Sequence, residues 1–237
     1  MFRRPWLLAF VSAVAVQSAL LAQSPGGSGA MGCEETHRTL ALRNPRLGVT
    51  DRILPGQAIV QAKLTLDADT TVRVIEYPKA GRPLDSYNAT IIVRRGQDEK
   101  RYPMGKLMKD GALFRPVELA SLCRSSNQGV VFIAFETPST GMAEGFAVIQ
   151  YSPESVGVQT LPPASQGRIV VHRTVPEEIE LWSATGNADI FDCNACKKFY
   201  SIQDCLVGQR AVLCKQRSAP GVTGYPGKFI GARIQVR

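Results

Sequence analysis

The sequence predicts a mostly β protein, an antiparallel sandwich or barrel-like single domain with one short helix near residues 116–123. Apolar and polar residues alternate with the period of a half-buried strand, first between Gln57 and Leu66. Gly and Pro signals separate several short segments of this kind along the chain. Strand–helix–strand alternation is missing from the pattern, so a parallel nucleotide-binding sheet is not expected.

The predicted strands follow one another with turn residues between them. The run Val130–Phe135 is continuously apolar and predicts a central strand that is buried on both faces. Pro116 fits the first turn of a helix. Leu119, Leu122 and Cys123 follow at helical spacing, which predicts the one helix. The further predicted strands are Thr71–Tyr77, Ala89–Arg95, Phe146–Tyr151, Arg168–Val175, Glu178–Trp182 and Phe229–Val236.

Residues 1–22 have the pattern of a secretory signal peptide. A positive start with Arg3 and Arg4 precedes the uncharged segment Trp6–Ala22, and small residues follow it. The alternative is an uncleaved membrane anchor. It is disfavoured because the apolar stretch is slightly shorter than the ~20 residues that span a bilayer. We therefore expect an exported chain that is periplasmic or secreted.

The rest of the chain divides into two predicted parts. Residues 23–32 read as a flexible linker of Gly, Ser and Pro, and residues 33–237 as one β-rich domain. That domain includes a cysteine-bearing, basic C-terminal segment, residues 193–237. A chain of this size buries roughly 70% of its unfolded surface, enough for a real core. No second long apolar run occurs, so no transmembrane segment is expected in the mature chain.

The cysteines suggest a disulfide framework, because an even number of cysteines in an exported chain is typical of paired thiols. A pair between Cys33 and Cys123 would connect distant parts of the chain. The stretch after Phe199 resembles a hairpin that turns near Gly208, which would bring Cys205 and Cys214 together. The six candidates are Cys33, Cys123, Cys193, Cys196, Cys205 and Cys214.

Two pairings of the last four cysteines remain open. Pairing along the hairpin leaves Cys193 with Cys196 in a tight ring. The nested alternative pairs Cys196 with Cys205 and Cys193 with Cys214. The spacing alone does not choose between these patterns.

The pair Cys193 and Cys196 has the spacing of a thiol–disulfide oxidoreductase motif, with Cys193 attacking and Cys196 resolving. Lys197 and Lys198 follow directly, and positive charge lowers the pKa of a thiol. Residues 199–202 read as a strand, however, whereas redox motifs of this type open a helix. A structural zinc site is also disfavoured, because only one close cysteine pair is present. No metal and no cofactor are therefore expected.

The positive charge is concentrated at the C-terminal end. The chain holds 28 Lys and Arg against 20 Asp and Glu, a net charge of +8. Segment 193–237 holds eight basic residues and one acidic residue, Asp204. Such a segment can attract an anionic envelope component. The candidate anion-binding residues are Lys197, Lys198, Arg210, Lys215 and Arg217.

Catalytic motifs are not found in the sequence. Its two histidines, His37 and His172, lie in predicted surface or strand positions, and HExxH, GxSxG and SxxK do not occur. Nucleic-acid binding is not expected, because no pattern of a nucleic-acid-binding module is present. The sequence thus favours an exported, non-enzymatic, disulfide-stapled β-rich domain with a binding or structural role at the cell envelope or outside the cell.

Overall fold

The computed structural model describes residues 32–40, 59–78, 87–108, 115–136, 143–187, 198–217, 222–223 and 232–237. Within these ranges the one helix, α1, is Met104–Leu107. The strands in chain order are β1 (Thr36–Thr39), β2 (Ile59–Thr65), β3 (Thr70–Pro78), β4 (Tyr87–Arg95), β5 (Asp98–Pro103), β6 (Arg115–Ser125), β7 (Gln128–Glu136), β8 (Ala143–Tyr151), β9 (Val156–Thr160), β10 (Arg168–His172), β11 (Val175–Asn187), β12 (Lys198–Val207), β13 (Val212–Gln216), β14 (Val222–Thr223) and β15 (Ile234–Val236).

The strands form three sheets, which we call N-terminal, central and C-terminal. Their orders are β2-β3-β4-β5, β1-β6-β7-β8-β9 and β13-β12-β11-β10-β15, and β14 also pairs with β12. Neighbouring strands are antiparallel except for β10 and β15, which are parallel. Each sheet contains one meander of four consecutive strands and is open at both edges within the described ranges. The predicted mostly β, sandwich-type fold is confirmed.

The middle strands of the central sheet, β6, β7 and β8, are buried on both faces. On β7, Val131 and Ile133 belong to a first core, which the central sheet shares with the N-terminal sheet. Val130 and Phe132 alternate with them and belong to a second core, shared with the C-terminal sheet. The prediction that Val130–Phe135 is a central strand buried on both faces is therefore confirmed.

The prediction of a helix near residues 116–123 is wrong. These residues lie within β6, which pairs with β1 on one side and β7 on the other. Leu119 faces the first core and Leu122 the second, so apolar side chains on both faces of a strand imitated helical spacing. Pro116 lies beside a register shift in the β6–β7 ladder, where a residue without an N–H group is tolerated. The helix of the described chain is instead α1, between β5 and β6.

In addition to its backbone pairing with β6, strand β1 is linked to the central sheet by two side-chain bonds. A disulfide joins Cys33, just before β1, to Cys123 in β6, which is the long-range pair that the sequence suggested. His37 Nε2 lies 2.6 Å from Glu118 Oε1. This hydrogen bond raises the pKa of His37, against the effect of its partial burial. The first described strand is thus held by a covalent link and by a hydrogen bond to a buried carboxyl group.

Glu76 lies on β3 of the N-terminal sheet and is buried, with 5% of its surface exposed. Gln61 Nε2 donates a hydrogen bond to its Oε2 at 2.9 Å. Burial raises the pKa of Glu76 to about 7, although the hydrogen bond from Gln61 and the charge of Arg115 act in the opposite direction. A buried carboxyl group with a raised pKa favours the protonated state.

We predict that Glu76→Gln increases the free energy of unfolding at pH 8 by on the order of 2 kcal/mol and leaves it almost unchanged at pH 4. A carboxyl group with a raised folded-state pKa stabilises the fold at low pH, and this contribution is lost as the pH rises through that pKa. Urea unfolding at both pH values measures the effect. Asp98→Asn, at an exposed position of β5, is the control. An equal gain at both pH values would contradict the assignment.

Candidate functional site

The hairpin of β12 and β13 is closed by a disulfide between two directly opposed residues. Cys205 pairs with Cys214 in the register of the two strands, and their Cα atoms are 4.0 Å apart. The chain reverses after Gly208, whose N–H donates to the carbonyl of Ala211 at 2.9 Å. The predicted hairpin is confirmed, and the nested alternative is wrong because each of its two bridges requires one of these bonded cysteines.

The hairpin is fixed to the central sheet as well as closed on itself. Gln150 Nε2 on β8 donates to the carbonyl of Val207 at 2.9 Å. Gln159 Nε2 on β9 donates to the carbonyl of Gly208 at 2.7 Å. Cys205 and Val207 are buried in the second core. One face of the hairpin is therefore packed against the second core, with Val212 and Cys214 of β13 partly buried there.

The opposite side of the C-terminal sheet, its outer face, presents two exposed leucines. Leu206 and Leu213 are directly opposed across β12 and β13, and they are 51% and 68% exposed. They stand beside a groove with a volume of about 450 Å³. The outer-face residues that line this groove include Glu178, Glu180, Asp204, Leu206, Leu213 and Lys215.

A network of charged groups crosses the outer face next to the leucines. Arg217 Nη2 donates to Glu180 Oε1 at 2.8 Å, and Arg217 Nε donates to Asp204 Oδ2 at 3.1 Å. Trp182 Nε1 donates to the other oxygen of Glu180 at 3.1 Å. These bonds connect strands β11 and β12 to the residue that follows β13. The guanidinium is shared between two carboxylates of the same sheet.

The pKa values in this network follow from its hydrogen bonds. The hydrogen bond from Arg217 lowers the pKa of Asp204. Burial raises the pKa of Glu180, but the hydrogen bonds from Arg217 and Trp182 outweigh it, so the pKa of Glu180 is lowered. The two carboxylates raise the pKa of Arg217 in turn. All three groups are therefore charged at neutral pH.

Beyond the charged network, the outer face is closed by a small aromatic cluster. The rings of Trp182 and Tyr200 meet edge to face with centroids 6.0 Å apart. Both residues are buried, together with Val170 and Ile202. The aromatic rings therefore support the sheet and are not free to stack on a ligand.

The basic residues predicted to bind anions have different environments. Arg210 and Lys215 are exposed, and neither makes an ion pair within the described ranges. Arg217 is already paired with Glu180 and Asp204. Lys198 begins β12. The remaining predicted residues, Cys193, Cys196 and Lys197, lie outside the described residues, so the proposals that depend on them stay predictions.

Sequence reasoning missed the two leucines at the centre of this face. Strand alternation contains the signal, because Leu206 lies between Cys205 and Val207, which both point into the core.

His172 also lines the groove. No group of three or more His, Cys, Asp or Glu side chains in the described part of the chain is placed to hold a metal ion. The arrangement is suited to binding through apolar contact and charge.

We predict that Arg217→Gln lowers the free energy of unfolding at pH 7 by about 1 kcal/mol. Glu180 loses its charged partner and keeps only the hydrogen bond from Trp182, whereas the exposed pair with Asp204 is screened by solvent and contributes little. Both carboxylates have lowered pKa values, so this stabilisation is present at neutral pH and is lost as the pH falls through those values. The loss should therefore shrink toward pH 3. Urea titrations at both pH values test this, with Arg210→Gln on the exposed turn as the control. A loss that is independent of pH would contradict the charged network.

Comparison with known proteins gives no match, either to a protein-family profile, to a curated protein or to a solved structure. None of the described helical residues forms a segment with the length and hydropathy of a membrane span. Function is therefore inferred from the geometry of this chain's own residues.

Proposed function

We propose that this protein is exported through the signal peptide of residues 1–22 and acts without catalysis, as a binding or structural component at the cell envelope or outside the cell. In this proposal residues 33–237 form one β-rich domain after the linker of residues 23–32. The paired cysteines support export, because disulfides persist in oxidising compartments and are rare in the cytosol. The two cores that share the central sheet support a single folded unit.

The observation that carries the binding proposal is the contrast between the two faces of one hairpin. Its inner face holds the disulfide and is buried, whereas its outer face exposes Leu206 and Leu213 beside the groove. A rigid support lowers the entropy lost on binding. Exposed apolar side chains next to charged groups are typical of the centre and rim of an interface. We therefore assign binding to the outer face of the C-terminal sheet.

We predict that the protein recovered from an exporting host lacks its first 22 or 19 residues and has no free thiol. Intact-mass measurement with and without reduction, after alkylation of free thiols, checks both points. The chain should start at Gln23 or Leu20, and reduction should add the mass of six hydrogens. A full-length chain in the cytoplasm with six reactive thiols would contradict the proposal.

The same measurement addresses the thiol–disulfide oxidoreductase alternative. The non-enzymatic proposal would be replaced if Cys193 or Cys196 were alkylated rapidly in the folded protein and the protein reduced insulin disulfides at a catalytic rate.

The anion-binding alternative has a different signature. Binding to anionic vesicles should weaken steeply with salt. Vesicle binding should also be weaker for Lys215→Gln than for the wild type. Arg217 is not expected to contribute, because Glu180 and Asp204 already neutralise it.

A further inference from the structure

We infer that the outer face of the C-terminal sheet binds a second copy of this chain, with Leu206 of one copy packed on Leu213 of the other. The inference rests on the proposed binding role of that face and names its partner. It is carried by three observations: an exposed apolar pair, two flanking charges of opposite sign, and a register that makes the patch complementary to itself.

The apolar pair is unusual for this molecule. The large apolar side chains exposed in the described ranges are Val60, Val175, Leu206 and Leu213. Only Leu206 and Leu213 are directly opposed on neighbouring strands, so only they form a continuous apolar surface. Their backbone is fixed by the disulfide and by the glutamines of the central sheet. Contiguous exposed apolar surface is characteristic of interaction sites, whereas single exposed apolar residues are ordinary.

Two charged residues flank the leucines and have no ion pair among the described residues. Glu178 on β11 is opposite Leu206, and both are on the outer face. Lys215 on β13 lies two residues beyond Leu213 on the same face. Both side chains are exposed and line the groove. The patch thus carries one acid beside Leu206 and one base beside Leu213, and neither makes an ion pair among the described residues.

This arrangement is complementary to itself under a two-fold axis in the plane of the interface. Strands lie about 4.8 Å apart, and residues on one face repeat about every 6.8 Å along a strand. Suppose that the axis places Glu178 over Lys215 of the second copy. Leu206 then faces Leu213 of that copy, and the two positions are about 3 Å apart in projection on the plane of the sheet. The reciprocal contacts form at the same time, as an isologous interface requires.

The same axis also brings Asp204 near Glu180 of the second copy. Each of these carboxylates is already paired with Arg217 in its own chain, so the close approach does not oppose association strongly. Four side chains of each copy carry the proposed contact, far fewer than the roughly 20–30 residues a side of a standard interface. We therefore expect a weak dimer, with a Kd on the order of 10–100 μM.

Sedimentation of the purified, oxidised mature protein over a range of concentrations tests the inference. The wild type should convert from monomer to dimer as the concentration rises through the Kd. Leu213→Asp should remain monomeric, because it buries a charge at the apolar centre. Val60→Asp is the matched control, since Val60 is 54% exposed on the N-terminal sheet, and it should dimerise like the wild type. Circular dichroism verifies that both variants are folded.

A charge exchange distinguishes this arrangement from non-specific contact between leucines. Glu178→Lys and Lys215→Glu should each weaken dimerisation about tenfold or more, because each places like charges opposite each other twice. The double variant, which exchanges the two charges, should regain most of the wild-type affinity. Failure of the double variant to regain affinity would overturn the proposed pairing.

A wild type that stays monomeric to about 1 mM would overturn the inference as a whole, since it lies well above the expected Kd. That result would leave the proposed function standing, because export and oxidation are read separately from the intact mass. Conversely, a reduced or catalytically active protein would refute the proposed function whatever its state of association.

Discussion

The central sheet lies between two cores, and this double burial constrains the rest of the fold. Its strand β7 can carry no polar residue between Val130 and Phe135, because each successive side chain enters one core or the other. The N-terminal and C-terminal sheets each bury one face against it. They are therefore free to place polar and charged residues on their outer faces, where function can reside.

Because the central sheet is covered on both sides, carboxyl groups on its strands are also buried. Each of them needs a hydrogen-bonding or charged partner nearby. Glu136 on β7 is 2% exposed and is paired with Arg115 of β6 and Arg233 before β15. Glu118 is bonded to His37 and accepts a hydrogen bond from the backbone N–H of Arg233. Burying a carboxyl group without such partners costs free energy. These contacts connect both ends of the described chain to the central sheet.

The outer face of the C-terminal sheet shows how a short edge hairpin becomes a defined surface. The disulfide removes freedom from its two strands, and the hydrogen bonds of Gln150 and Gln159 fix its position on the central sheet. Arg217 then fixes the carboxylates beside it. Leu206 and Leu213 are left exposed on a rigid support, so their presentation does not depend on a ligand.

Local alternation, apolar runs and turn residues were enough to predict the β class, the central strand and the hairpin. The same kind of pattern wrongly predicted a helix at β6, because a strand with apolar residues on both faces does not show the period of two. The pairing of Arg217 with Glu180 and Asp204 is visible only in the folded chain. The same is true of the patch formed by Glu178, Leu206, Leu213 and Lys215. These residues are neighbours only because of the strand register. In a chain that forms three sheets, the pattern of apolar residues alone does not specify that register.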